Sequence, residues 1–316
     1  MEILFLEPIF KERIWGGQKL KKVFNYPIKD KPIGECWAIS GHQHGSSKVL
    51  NGPYEGMKLD DLFSNFKTQL FNNDPSDRFP LLVKILDAND DLSIQVHPDD
   101  QYAMTHENDY GKTECWYVID ADEDAIIIDG HYALTKQEFI EKIKQNDLSL
   151  WKTRQIKKDD FIYIPAKKVH AIGKGSLIYE VQQSSDTTYR IYDYDRKDDH
   201  GKKRDLHLDK ALDVIDLPSK DIDVDVKFIN HESYDLYHYI KNEYFELTRV
   251  DVKQSFVLKT HKYQLCSVLE GHGYVNNHEI KKGDHFILTG QERVEEIVFK
   301  GNMRIMMTQR PYESYV

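Results

Sequence analysis

Leu92 to Asp100 reads "LSIQVHPDD". Successive side chains on a β-strand point to opposite faces, so residues two apart share one face. Ser93, Gln95 and His97 therefore look one way, and Leu92, Ile94 and Val96 look the other. Pro98 ends the run, because proline has no N–H to give to a ladder. One face of this strand reads as core and the other as a polar lining.

The same grammar recurs outward from this point. "CWAIS", "FPLLVKIL", "ECWYVID", "AIIIDG", "FIYIPA" and "SLIYEVQQ" are short runs rich in Ile, Val, Tyr and Trp, bounded by turn residues. Closely spaced short strands predict a sandwich or barrel. Few segments have helical spacing. In "MKLDDLFSNFKTQLF" Leu59, Leu62, Phe63 and Phe66 recur at that period, and "TKQEFIEKIKQND" pairs Thr135 with Glu138 as a capping box. "LHLDKALDVI", from Leu206, is a third candidate. The expected fold is mainly β, with a few helices as covers.

After Leu217-Pro218-Ser219 the chain again reads as strands from Tyr244 onward, which sets a boundary near 218–235. The division expected is 1–230 for a first domain and 231–316 for a second. "ECWYVIDADED" followed by "IKKDDFIYIPAKKVHAI" has a counterpart in "QLCSVLEGHGY" followed by "IKKGDHFILTGQE", which suggests a duplicated module. In this alignment Leu265 stands where the first copy has Glu114, and nothing stands where it has His170, so the second module is expected to lack metal ligands.

The totals narrow the function. The chain has 316 residues, 40% of them hydrophobic, enough for a sizeable core. A net charge of −10 argues against a nucleic-acid partner but leaves a small anionic substrate open, since that needs only a few local cations. Cys36, Cys115 and Cys266 are odd in number and widely spaced, which fits neither a disulfide framework nor a thiolate zinc site. "MEILFLEPIF" lacks a basic lead and has proline at position 8, and no run reaches the apolar length of a membrane span. A cytoplasmic protein with no membrane partner is expected.

His97 beside Gln95, Glu114 in "KTECWYV" and His170 in "IPAKKVHAI" supply two imidazoles, a carboxylate and a further oxygen donor. That set suits Zn²⁺ with an open position. It also suits non-haem Fe(II), and a single histidine at a strand end is more often merely hydrogen-bonded.

"DFIYIPAKKVHAI" resembles the second cupin motif, and "QVHPDD" with Glu114 resembles the first. Together "IWGG", "IGECWAIS", "SIQVHPDD", "GKTECWYV", "PAKKVHAI" and "YRIYDYDR" resemble the type I mannose-6-phosphate isomerases in their short bacterial form, over nearly the whole chain. The resemblance implies two cupin-type β-barrel (jelly-roll) modules and one Zn²⁺ per chain held by Gln95, His97, Glu114 and His170. It implies a zinc-dependent aldose–ketose isomerase acting on a sugar phosphate, interconverting mannose 6-phosphate and fructose 6-phosphate through an enediol(ate). Arg190, Lys112 and Asp186 are the catalytic candidates it carries over, and Lys84 and Ser93 the substrate-binding ones. Lys112 is the first choice for general base, with Asp186 or a zinc-bound water in competition. A monomer or weak homodimer is expected.

Two readings from other classes stand beside this one: a metal-dependent cupin oxygenase, and a sugar-binding cupin without turnover. Single residues have bland readings too. Lys84 interrupts an apolar run and either snorkels from an edge strand or finds an anion. Arg190, among tyrosines and aspartates, reads by itself as a structural ion-pair residue. His42 and His44 in "SGHQHGSS" read as a loop, and "DYDRKDDHGKKRD" reads as a solvated charged loop or a flap near Arg190.

Overall fold

A computed structural model describes residues 1–197 and 200–311. Its strands are β1 (Ile3–Phe5), β2 (Ile9–Gly17), β3 (Ile33–His42), β4 (Gly45–Ser46), β5 (Leu81–Ala88), β6 (Ile94–Val96) and β7 (Glu114–Ala121). They continue as β8 (Ile126–His131), β9 (Trp151–Gln155), β10 (Phe161–Ile164), β11 (His170–Ile172), β12 (Ser176–Gln183), β13 (Tyr189–Tyr192) and β14 (Lys227–Asn230). The last are β15 (Tyr234–Lys241), β16 (Glu246–Val252), β17 (Ser255–Thr260), β18 (Gln264–Val275), β19 (His278–Lys281), β20 (His285–Leu288) and β21 (Glu295–Gln309). Helices are short: α1 (Lys19–Phe24), α2 (Leu59–Leu70), α3 (Asp100–His106), α4 (Lys136–Lys144) and α5 (Leu208–Val214). The mainly β, cupin-type architecture expected from the sequence is the one the chain adopts.

The three helical signals materialise as α2, α4 and α5. Thr135 caps α4 by accepting from the Glu138 N–H, and the Glu138 carboxylate returns to the Leu134 N–H, so the box closes one residue earlier than the simplest form. Asp99 caps α3 in the same way through Tyr102.

Two sheets form the first module. One runs β10-β7-β12-β5-β2-β3-β4 and the other β13-β6-β11-β8-β9. The C-terminal sheet runs β1-β20-β18-β21-β16-β15-β14, with β17 on β21 and β19 on β18. The first strand of the chain thus pairs with β20, Leu4 opposite Ile287, while Ile85, Cys115 and Val181 share one core with Leu247, Leu265 and Met306. The seven-stranded sheet and the C-terminal sheet pack back to back through this core, and each keeps its other face for something else.

The sheet register corrects one sequence alignment. Ile164 pairs with Glu114, and Leu288, its match in the repeated "IKK" segment, pairs with Gln264. Gln264, not Leu265, occupies the Glu114 position. Leu265 corresponds to Cys115, and both lie in the shared core. A one-residue slip turns every side chain to the opposite face, so the correction changes what the second module presents to solvent.

Candidate metal centre and active site

The two sheets of the first module clamp the site between them. Glu114 opens β7 on one sheet, while β6 and β11 of the other pair Gln95 opposite His170, and His97 follows directly after β6. His97, Glu114 and His170 are all buried, and their ligand atoms lie within 4.8 Å of one another. No other group of three such side chains converges in this way among the described residues.

Hydrogen bonds orient both imidazoles. His97 Nδ1 lies 3.1 Å from the Thr187 carbonyl and His170 Nδ1 lies 2.8 Å from the Lys168 carbonyl. A carbonyl only accepts, so each Nδ1 carries the proton and each Nε2 turns its lone pair inward. Burial depresses both imidazoles, His97 to about 3, with the Lys112 ammonium adding to the effect. They are neutral, the form a metal requires. Burial works to raise the Glu114 carboxyl, but the Lys112 ammonium holds it well below the usual carboxylate range.

The donor set fits a divalent cation. Glu114 Oε2 is buried without a hydrogen-bond partner, and the Lys112 ammonium stands 3.1 Å from it and 3.0 Å from His97 Nε2. A positive charge already belongs at this point. Gln95 lies beside it, its amide nitrogen 3.4 Å from His170 Nε2 and its oxygen 3.3 Å from the Ser93 hydroxyl.

A cleft of about 380 Å³ opens onto this group, and Lys84, Ser93, Gln95, Lys112, Glu114, His170, Asp186 and Arg190 all line it. The sequence candidates therefore meet in one place, with His97 behind the lining. Their standing within it differs. Lys84 is buried in the central strand β5, which excludes an edge-strand lysine; its Nζ is 3.3 Å from Glu180 Oε2. Burial works against its charge, but Glu180 and Glu35 raise its pKa. Arg190, on β13 opposite Gln95, donates from Nη1 to the Asp205 carbonyl at 2.9 Å and leaves Nε without a partner, so it is not the ion-pair residue its surroundings suggested. Asp186 sits half-exposed at the rim, 3.2 Å from His44 Nδ1, so the loop of His42 and His44 touches the cleft.

Other residues in the cleft were not picked out by sequence. Glu180 lies opposite both Lys84 and Trp116, and the Trp116 indole N–H is shared between Glu114 and Glu180 at 3.1 Å each. Burial and the charge of Glu114 raise the Glu180 carboxyl. Glu35 is held near pKa 2: burial opposes this, and the charges of Lys84 and Arg13 outweigh it, with Arg13 gripping the carboxylate through Nε at 2.9 Å. Glu180 was detectable in principle, since a carboxylate within the apolar run "SLIYEVQQ" needs a partner.

The charged run after Arg190 is partly built in rather than merely solvated. Asp193 is buried and binds Arg196 and Arg204, and Arg204 reaches the cleft wall. Asp198 and Asp199 of that run lie outside the described residues. A larger cleft of about 720 Å³ near Lys19 and Asp122 shares no lining residue with this one, and its Lys19 is already paired with Asp120 and Asp122.

Comparison with known proteins agrees with this geometry. Residues 3–114 match the family "Phosphomannose isomerase type I, catalytic domain" and residues 235–309 match "Mannose-6-phosphate isomerase, cupin domain". The chain is 48% identical to the mannose-6-phosphate isomerase ManA of Bacillus subtilis over 91% of this chain and 93% of that one. It is 43% identical to the mannose-6-phosphate isomerase of Streptococcus mutans over 96% and 97%. The crystal structure of the mannose 6-phosphate isomerase from Bacillus subtilis superimposes with a TM-score of 0.94 at 41% identity, covering 98% of this chain and all of that one. With a paired-sheet cleft, a convergent His–Glu–His group and relatives of this identity along nearly its full length, the chain belongs to the type I mannose-6-phosphate isomerases.

Proposed function

We propose that this enzyme interconverts mannose 6-phosphate and fructose 6-phosphate through an enediol(ate), with one Zn²⁺ held by Gln95, His97, Glu114 and His170. The observation that carries the metal reading is the pair of Nδ1-anchored imidazoles converging on a buried carboxylate whose Oε2 makes no hydrogen bond and is met only by ion pairing with the Lys112 ammonium at 3.1 Å and by His97 Nε2 at 3.4 Å. Gln95 would complete the set with its amide flipped, since its nitrogen rather than its oxygen faces His170 Nε2. When bound, the ion supplies a Lewis acid for the charge that develops on O1 and O2.

The protein's own groups account for the rest. In the reaction C2 loses a proton, and C1 gains one as the double bond shifts. Lys112, beside His97 and Glu114, is the group we assign to that proton, acting as the free amine that a divalent cation held next to it would favour, with Asp186 at the rim as the alternative. Arg190 supplies a fixed cation for the enediolate, and its unpartnered Nε leaves it a donor to spare. Lys84 and Ser93 contact the substrate; Glu180 and Glu35 hold Lys84 in place from either side. An oxygenase using iron has the same ligand types open to it, but family membership favours the isomerase.

The proposal extends to organisation. Residues 1–230 carry the catalytic unit, although β1 and β14 within them pair into the C-terminal sheet, and 231–316 form a second cupin-like unit without metal ligands, in a cytoplasmic monomer or weak homodimer. No helix among the described residues is long and apolar enough to cross a membrane.

A coupled assay of mannose 6-phosphate to fructose 6-phosphate, run with a chelator and then with restored Zn²⁺, tests the function. Activity lost on chelation and recovered with zinc is expected. Turnover unchanged by complete metal removal overturns the zinc reading, and no turnover of mannose 6-phosphate by metal-replete enzyme overturns the isomerase reading.

A further inference from the structure

The catalytic cleft has a register-for-register twin in the C-terminal sheet. Beginning from Glu114 and Gln264, the ladders carry the match from strand to strand: Trp116 to Cys266, Glu180 to Met307, Lys84 to Thr248 and Trp37 to His238. Even the irregularities coincide. The β3–β5 ladder shifts between Trp37 and Ile39, and the β15–β16 ladder shifts between His238 and Ile240. The β7–β12 ladder skips Ile119, and the β18–β21 ladder skips Leu269. Bulges are specific local features, so two coincident ones fix the correspondence.

At the matched place the C-terminal module has an open cleft of about 420 Å³, close to the 380 Å³ of the catalytic one. Its chemistry is different. Leu258 is paired with Ile297 where Gln95 is paired with His170, so with Gln264 in place of Glu114 no metal-binding set remains. Thr248 replaces Lys84. In exchange a chain of polar side chains crosses the floor: His238 Nε2 lies 2.9 Å from Glu246 Oε1, Gln309 donates to Glu246 Oε2 at 2.8 Å, and Gln264 donates to Gln309 Oε1 at 2.6 Å. The Thr248 hydroxyl and Gln264 Oε1 have no partner among the described residues. Phe256 and Leu258 of β17 form an apolar wall facing this strip, which Val250 extends along β16 beyond Thr248.

We infer that this second cleft binds an uncharged hexose. A pyranose has hydroxyls along its edges and C–H groups on its faces, which matches an amide, hydroxyl and imidazole strip opposite an apolar wall. The volume accommodates one ring. The lining discourages a phosphate: the Lys84 position is a threonine, a carboxylate stands on the floor, and the nearby Lys259 is taken by Glu296 at 2.8 Å. Lys262 keeps the place of Lys112, two residues before Gln264, while Glu246 is countered by Lys241 at 3.7 Å. The inference stands on register and lining, not on the zinc chemistry, so either can fail without the other.

The test is ligand binding on the zinc-loaded full chain, with free mannose as probe. Methyl-labelled methionine NMR reports from inside the cleft through Met307 without any mutation. Mannose should shift the Met307 methyl with a dissociation constant on the order of millimolar, and Gln264→Leu and Gln309→Leu should each weaken that binding at least fivefold while near-ultraviolet circular dichroism stays native. Mannose 6-phosphate should move the same methyl more weakly than mannose. An unmoved Met307 methyl in the unaltered protein overturns the inference, as does binding that survives in a folded Gln264→Leu variant. A tighter response to mannose 6-phosphate than to mannose overturns the uncharged-ligand assignment.

Discussion

Lys84 and Glu180 face each other across the β5–β12 ladder, both buried, with Nζ 3.3 Å from Oε2. The pair links two halves of the cleft, because Trp116 joins Glu180 to Glu114 at the metal position. Removing one member of a buried pair leaves the other charge uncompensated, at a cost of about 3–5 kcal/mol. Lys84→Ala should therefore lower stability by that order, and Lys84→Ala with Glu180→Ala should be less destabilised than the sum of the singles. Lys84→Ala should also raise KM for the phosphorylated sugar more than it lowers kcat, as loss of uniform binding does. Urea unfolding of the four proteins and steady-state kinetics check both parts. Additive destabilisation removes the coupling, and a kcat loss at unchanged KM removes the substrate contact.

His97→Ala or His170→Ala should lose most bound zinc and nearly all isomerase activity, since each removes one of the strong donors. Gln95→Ala, losing a neutral donor, should keep more of both. Elemental analysis on folded protein decides this: full zinc in both histidine variants contradicts the ligand assignment.

Arg190→Ala should retain zinc and keep KM within about threefold, while kcat falls on the order of a hundredfold, as when a transition-state charge partner is removed. Kinetics and zinc content from the same preparation separate this from metal loss. An unchanged kcat assigns Arg190 to structure alone, through its bond to the Asp205 carbonyl.

His285 provides a pH test away from the catalytic site. It is buried between Tyr26 and Ser267, and burial pushes its pKa from 6.5 down to about 3. Below pH 6.5 the unfolded chain takes up a proton that the folded one refuses until near pH 3, so stability falls as pH drops through that window. By pH 5 the loss from this one residue is about 2 kcal/mol. His285→Phe keeps a ring there, as Phe161 does at the matching position of the first module. Its loss of unfolding free energy between pH 7 and pH 5 should be smaller than that of the unaltered protein by that amount. Equal losses would show that His285 does not refuse the proton.

Much of this site was legible because strand parity is local. Alternation in "LSIQVHPDD" was enough to put Ser93 and Gln95 on one face, and the cap of α4 was written within a few residues. Glu180 and Glu35 went unseen because their meaning lies in partners: Glu180 is 96 residues from Lys84 in the chain and directly opposite it in the sheet. Asp193 read as solvated for the same reason, since the arginines that bury it act through the folded loop.

Fold class, family resemblance and the residue types that gather at the metal position are readable along the chain, because they depend on short periods and compact motifs. Which residues of the two modules correspond is readable only from the folded ladders. A weak repeat aligns equally well one residue either way, and in a strand that single step exchanges core for cleft. The β18–β20 ladder resolves it by bonding Gln264 to Leu288, which turns Leu265 inward to the shared core and Gln264 out to the second cleft.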